Sequence, residues 1–214
     1  AKASFDPQSY RNAYTDLRQV YRFDWEKYYI HYIQYGKKEN RCAIGVNALV
    51  NPVTTYNGTD YSDVYDFNDY ITIHPDINAL YINDDIGAIE HFVKYGMKEG
   101  RQAKNSFSPQ SYRNTYIDLR YLYDMNWEDY YIHYMTYGKK EGRIAAGINK
   151  FIDTATVYDG IDYSAVYDFN QYIAIHPDIK TLYENDDIKA LEHFVKYGMS
   201  EGRIAKFSFI VQYY

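Results

Sequence analysis

The chain has 214 residues, a formal net charge of −6 and a sequence pI near 5.5. That balance argues against nucleic acid or an anionic membrane surface as the main partner, and no apolar stretch is long enough for membrane insertion. The single cysteine, Cys42, excludes an internal disulfide or a thiolate metal cluster, whereas 29 tyrosines supply rings with an apolar face and a polar tip.

In chain order, Asp6-Pro7 reads as a cap followed by a helix-opening proline, predicting a first helix through about Tyr14. A second short helix and then a third follow. Taken alone, Tyr28–Tyr35 could pass for a strand, but its later copies Ile86–Val93 and Ile188–Val195 space their apolar residues helically. Asp24, Asp84, Asn126 and Asp186 are the expected N-caps of these third helices, and Gly36, Gly96, Gly138 and Gly198 the expected left-handed residues that end them. The expected core of the first unit is Tyr10, Leu17, Tyr21, Tyr29, Tyr32 and Ile33. Asn57-Gly58 and Asp159-Gly160, set between β-formers, predict two-residue hairpin turns. Pro75 and Pro177 each break the chain and open a helix, through Tyr81 and Tyr183.

These elements recur. Phe5–Asn12 returns almost unchanged as Phe107–Asn114, Trp25 as Trp127 and His31 as His133, at an offset of 102. A weaker offset of 60 aligns Tyr10 with Tyr70, His31 with His91 and Gly36 with Gly96 without a gap. The chain is thus four units of about 40 residues: two odd (5–43, 107–145) and two even (65–103, 167–205). They group as a first pair over 1–103 and a second over 104–206, with 207–214 opening a further unit in which Tyr214 matches Tyr112. Ala3-Ser4-Phe5 echoes Asn105-Ser106-Phe107, so a piece of a longer array is expected. The predicted fold is mainly α, a tandem array of short three-helix units with small β-hairpins in the long linkers. Units this small seldom bury a sufficient core alone, so neighbours are expected to share buried surface.

Two repeated polar sets invite chemistry. His31, His91, His133 and His193 recur beside Asp16, Asp76, Asp118 and Asp178. They read either as Asp–His pairs for a metal or proton transfer, or as scaffold, the carboxylates holding imidazole or the Arg41-type guanidinium. Four equal copies favour scaffold. Asn83-Asp84-Asp85 and Asn185-Asp186-Asp187 suggest calcium, yet lack the glycine and alternating carboxylates of an EF-hand. With no nucleophile elbow or His-Glu-x-x-His motif, no catalytic residue, cofactor or metal is assigned.

Odd and even units also differ. Trp25, Tyr28, Trp127 and Tyr130 stand where even units carry Asp85, Ala88, Asp187 and Ala190. These four aromatics are the candidate ligand-binding residues, because flat rings stack on the C–H faces of sugars. The competing reading packs Trp25 against the linker hairpin or the next unit.

Three motifs carry a family resemblance: Tyr-Arg-Asn-x-Tyr-x-Asp-Leu-Arg (Tyr10–Arg18, Tyr112–Arg120), Tyr-Tyr-Ile-His-Tyr (Tyr28–Tyr32, Tyr130–Tyr134) and Tyr-Gly-x-x-Glu-Gly-Arg (Tyr95–Arg101, Tyr137–Arg143, Tyr197–Arg203). Asn40 replaces the second glycine in the copy at Tyr35–Arg41. Over essentially its whole length the chain resembles Tyr/Gly-rich tandem surface repeats of Gram-positive bacteria that accompany cell-wall hydrolase (glucosaminidase or amidase) domains. The resemblance implies a non-catalytic module, extracellular at the wall or cell surface, binding cell-wall polysaccharide or peptidoglycan and keeping a larger protein there. The alternative is an adhesin that binds other surface proteins, or a structural spacer.

Overall fold

A computed structural model describes residues 5–209; the Tyr214 match lies outside them. Among the described residues the chain forms twelve short α-helices and two hairpins. The first odd unit contributes α1 (Pro7–Ala13), α2 (Thr15–Tyr21) and α3 (Trp25–His31). A hairpin of β1 (Thr55–Tyr56) and β2 (Thr59–Asp60) precedes α4 (Phe67–Ile73), α5 (Pro75–Tyr81) and α6 (Asp85–His91). The second block repeats this order as α7 (Pro109–Thr115), α8 (Ile117–Tyr123), α9 (Trp127–His133), β3 (Val157–Tyr158), β4 (Ile161–Asp162), α10 (Phe169–Ile175), α11 (Pro177–Tyr183) and α12 (Asp187–His193).

Local chemistry sets these boundaries. The Asp6, Asp66 and Asp168 carboxylates accept from the amides of Ser9, Asp69 and Gln171 at 2.8, 3.0 and 2.8 Å, capping α1, α4 and α10. His74 and His176 are extended because a proline follows each, and that kink separates the first helix of an even unit from the second. Both hairpin turns have positive φ at both central residues, 48° and 81° at Asn57-Gly58 and 49° and 77° at Asp159-Gly160, the geometry that twists with antiparallel strands. Tyr56 accordingly pairs with Thr59, and Tyr158 with Ile161.

The ends of the third helices differ from expectation. Each runs on into a single π-helical turn, Tyr32–Gly36, Phe92–Gly96, Tyr134–Gly138 and Phe194–Gly198. The left-handed residue comes four positions after each of those glycines, at Asn40 (φ 54°), Gly100 (68°), Gly142 (67°) and Gly202 (66°). Asparagine tolerates that region, which accounts for Asn40. The earlier glycines answer a different need: a β-carbon on Gly36, Gly96 or Gly198 would meet the hydroxyl of Tyr10, Tyr70 or Tyr172 at 2.0, 2.7 and 2.7 Å. Capping is also uneven. Asp84 and Asp186 cap α6 and α12 through Gly87 and Lys189, but Asp24 makes no cap bond and pairs instead with Lys27 at 3.1 Å.

The chain divides into two compact units whose borders cut across the 102-residue blocks. One runs to Pro109 and takes up Trp127–Ala146; the other comprises Gln110–Asn126 and the chain from Gly147 onward. In the first, Tyr10, Leu17, Tyr28 and Ala43 form a buried cluster edged by Phe5, Tyr14, Tyr21 and Tyr32. In the second, Tyr167, Phe169, Tyr172, Ile179, Leu191 and Phe194 do the same. The expected core is out of phase at α3, where Tyr28 is buried and Tyr29 and Ile33 are exposed.

Candidate functional site

Several of the residues that distinguish odd from even units sit at the junctions between units. In the first compact unit the Arg18 guanidinium reaches the Asp85 carboxylate, with Nε 3.2 Å from Oδ1 and Nη2 3.0 Å from Oδ2. Both side chains are fully buried. A buried ion pair is tolerable only if its remaining hydrogen-bond capacity is met. Here Nη1 donates to the Arg11 and Asn12 carbonyls at the end of α1 (3.1 and 2.7 Å), Nη2 donates to the Val50 carbonyl (2.8 Å), and the Val53 amide donates to Asp85 (3.0 Å). Arg11 adds a bond across the same junction, from Nη1 to the Asn83 carbonyl at 2.8 Å. The second compact unit repeats the arrangement. Arg120 Nε lies 3.0 Å from Asp187 Oδ1, the Ala155 amide donates to Asp187 at 2.7 Å, and Arg113 donates to the Asn185 carbonyl at 2.9 Å.

Asp85 and Asp187 thus open α6 and α12 as keys read by a neighbour's arginine. Trp127 opens α9 at the same position and meets a different neighbour. Its indole lies against Gly100 of the preceding even unit, so close that a β-carbon there would stand 2.9 Å from Cδ2. One turn on, the Tyr131 hydroxyl donates to the Arg101 carbonyl at 2.7 Å, and its ring packs on Phe92 and Phe107 at centroid distances of 5.6 and 5.2 Å. Lys139 and Asp63 close the rim as an ion pair.

This placement corrects the ligand-binding set. Tyr28 and Tyr130 are fully buried and present no face to a sugar; the Tyr28 hydroxyl donates to the Arg22 carbonyl at 2.9 Å. Burial raises the Tyr28 phenol to about 12. Trp127 is seated on Gly100 of the preceding even unit, a different neighbour from the next unit or linker hairpin that was weighed beside ligand binding for Trp25. Trp25 alone of the four stands clearly exposed, at 38%. Sequence reasoning passed over Arg11, Arg18, Arg113 and Arg120. Their signal was present, since even units carry Ile71, Asn78, Ile173 and Lys180 in their places, so arginine appears in odd units and its aspartate partner in even ones.

The Asp16 group also finds its role. Arg41, Arg101 and Arg203 donate to Asp16, Asp76 and Asp178 at 3.0, 2.7 and 2.7 Å, and to the glutamate two residues back at 2.6, 2.5 and 2.5 Å. These exposed clamps fasten the Tyr-Gly-x-x-Glu-Gly-Arg tail, and each adds little stability. Asp84 and Asp85 are engaged by the Gly87 amide and by Arg18, which leaves neither carboxylate uncommitted.

One exposed surface is common to all units. Tyr35, Tyr95, Tyr137 and Tyr197 are each more than half exposed, and each ring lies against the preceding histidine at centroid distances of 5.5, 5.5, 5.6 and 5.5 Å. In His31, His91 and His193 the Nδ1 atom shares a hydrogen bond with the hydroxyl of Tyr10, Tyr70 or Tyr172 (2.9, 3.0 and 3.0 Å). That bond fixes the ring and leaves Nε2 without a protein partner among the described residues. Burial, then the charge of Arg101, holds the His91 imidazole below its ordinary value and favours the neutral ring. In the second compact unit Tyr183, His193 and Tyr197, with Lys189, Glu192 and Lys196, line an open groove of about 210 Å³. A larger cleft of about 340 Å³ beside Phe151 is lined by Lys150, Lys180 and Glu184. Its counterparts in the first block are Ala48, Asn78 and Ile82, so its charge pattern is not a repeated property.

Comparison with protein-family models, curated proteins and solved structures finds no match.

Proposed function

We propose that the chain is a non-catalytic binding module that engages a glycan polymer, such as cell-wall polysaccharide or peptidoglycan, through the shallow tyrosine–histidine surface repeated in each unit. One observation carries this reading: the exposed tyrosine recurs in all four units with the same packing on its histidine. An exposed phenol ring stacks on sugar C–H faces while its hydroxyl and the imidazole Nε2 address sugar hydroxyls. Single contacts of this kind are weak, and four on one chain gain by effective concentration along a polymer. The resemblance to wall-associated repeats supports the same reading, with the module outside the cell. Replacing Tyr35, Tyr95, Tyr137 and Tyr197 with Ala one after another should weaken retention on purified Gram-positive wall material at each step, with far-ultraviolet circular dichroism unchanged. Undiminished retention of the folded quadruple variant would overturn this reading.

The junctions favour a second reading, a structural spacer or protein-binding adhesin. Asp85, Asp187 and Trp127, which mark the difference between odd and even units, are spent on contacts between units, as a load-carrying array requires. Retention on a panel of host proteins, with none on wall material, would select it.

A further inference from the structure

We propose that the cleft beside Phe151, between the linker 147–153 and the helices α10 and α11, binds a hexuronate, a sugar residue carrying one carboxylate. It shares no residue with the groove at Tyr197 and His193, so this site is separate from the tyrosine–histidine surface. Its walls are held by the protein's own bonds. Asn114, 3% exposed, accepts from Gln110 Nε2 at 2.8 Å and donates to the Ile148 carbonyl at 3.2 Å, while its backbone carbonyl accepts from the Ile152 amide at 3.0 Å. Those bonds clip the linker to α7. Arg113 pins Asn185, which also lines the cleft, through its carbonyl at 2.9 Å. Phe151 packs on Phe169 at a centroid distance of 5.6 Å, with the Arg120 guanidinium 4.4 Å from the Phe151 ring centre.

The groups that line this cleft are those a charged sugar needs. Lys150, Lys180 and Glu184 are exposed and face it together. Lys180 and Glu184 stand one helical turn apart in the weaker order for pairing, lysine first. Neither they nor Lys150 form an ion pair among the described residues, whereas Lys94 and Lys196 each hold the glutamate four residues before them. Two cations against one carboxylate leave one net positive charge, which suits a single anionic group. Asn149, Asn170 and Asn185 supply amides that both donate to and accept from hydroxyls, and the half-buried Phe151 supplies a ring for a C–H face. A volume of about 340 Å³ is on the scale of a small-ligand site. The first block offers an internal contrast. Asn47, Asn68 and Asn83 keep the amides, but Ala48, Leu49, Asn78 and Ile82 replace Lys150, Phe151, Lys180 and Glu184. The first compact unit includes α9 of the following odd unit, and there Asn47, Ala48, Asn68, Ile82 and Asn83 remain exposed. A following unit therefore leaves this face open.

Titration of the whole chain with methyl glucuronoside, followed by nuclear magnetic resonance, tests the proposal. Resonances of Lys150, Phe151, Asn170 and Lys180 should shift and saturate in the millimolar range, while those of Ala48 and Asn78 stay still. Neutral methyl glucoside should bind more weakly, and inorganic phosphate should not displace the glucuronoside. A Lys150→Ala/Lys180→Asn variant, which places the first block's residues at two exposed positions, should weaken binding about tenfold, and Glu184→Gln should tighten it about threefold. The chain with Tyr35, Tyr95, Tyr137 and Tyr197 replaced by Ala should bind the glucuronoside as wild type does, so loss of wall retention and loss of this site are separate results. The proposal is overturned by absence of saturable shifts at Lys150 and Lys180, by equal affinity for the neutral glucoside, or by displacement by phosphate. Undiminished binding by the double-lysine variant overturns it as well.

Discussion

The two junctions of the first compact unit begin at the same helical position and use opposite physics. At Asp85 a fully buried carboxylate enters a guanidinium cage in which backbone carbonyls and an amide meet the remaining polar demand. At Trp127 an indole rests on a bare glycine and a tyrosine fills an aromatic slot. The first is intolerant of any change to one partner, because the other is left charged in an apolar setting. The second grades with the contact area it keeps. Polar junctions therefore hold each odd unit to the even unit after it, and apolar ones hold an even unit to the next odd helix.

The sharpest way to break this contrast is at the polar junction. Asp85→Ala should cost about 3–5 kcal/mol in chemical denaturation by stranding Arg18, and the double variant Arg18→Met/Asp85→Leu should recover most of it. Failure of the pair to recover would show that the carbonyl contacts of Arg18, not the ion pair, hold the junction. Next in size, Trp127→Ala should destabilise by about 2–3 kcal/mol, whereas Trp25→Ala stays within about 0.5 kcal/mol; thermal melts compare them. A glycine pair then isolates the indole contact. Gly202→Ala meets only the left-handed backbone, at about 1 kcal/mol, and Gly100→Ala should exceed it because its β-carbon strikes Trp127. The last tests vary the pH. Burial raises Tyr10, Tyr28 and Tyr172 from 10.0 to about 12. The unfolded chain releases these protons first, so stability present below pH 10 falls as pH rises toward 12. Tyrosinate absorbance should lag in the folded protein and appear with loss of ellipticity. For His91 the sign is reversed: its lowered value means stability is lost as pH falls below 6.5.

Much of the fold was legible because its signals are local. Pro75 and Pro177 open α5 and α11, Asn57-Gly58 and Asp159-Gly160 turn the hairpins, and Asp6 caps α1 through its own neighbours. The phase of α3 was not legible. Tyr28 and Tyr29 are adjacent and alike, and the second position is covered where another unit packs on it, as Phe92 packs on Tyr131. Gly36 was misread for a related reason. It follows an apolar helix as a terminating glycine would, but the constraint is the Tyr10 hydroxyl, 26 positions earlier in the chain. The candidate site shifted on the same grounds. Differences between odd and even units looked like specificity for a ligand, yet Asp85, Asp187 and Trp127 meet another unit and Tyr28 lies in the core of its own, whereas the exposed tyrosine–histidine surface is what every unit shares.

The alternating keys also limit how such a chain can grow or shrink by recombination. A crossover that dropped a single unit would set even beside even or odd beside odd. In the first case an Asp85-type carboxylate would arrive where the preceding unit offers Asn78 instead of Arg18. In the second, a Trp25-type indole would meet an odd unit's exit at Asn40 or Gly142, without the Phe92 and Met97 slot. Exchange in steps of the full 102 residues preserves the arginine–aspartate and tryptophan–glycine pairings. The heritable unit of this array is thus the pair, not the single repeat within it.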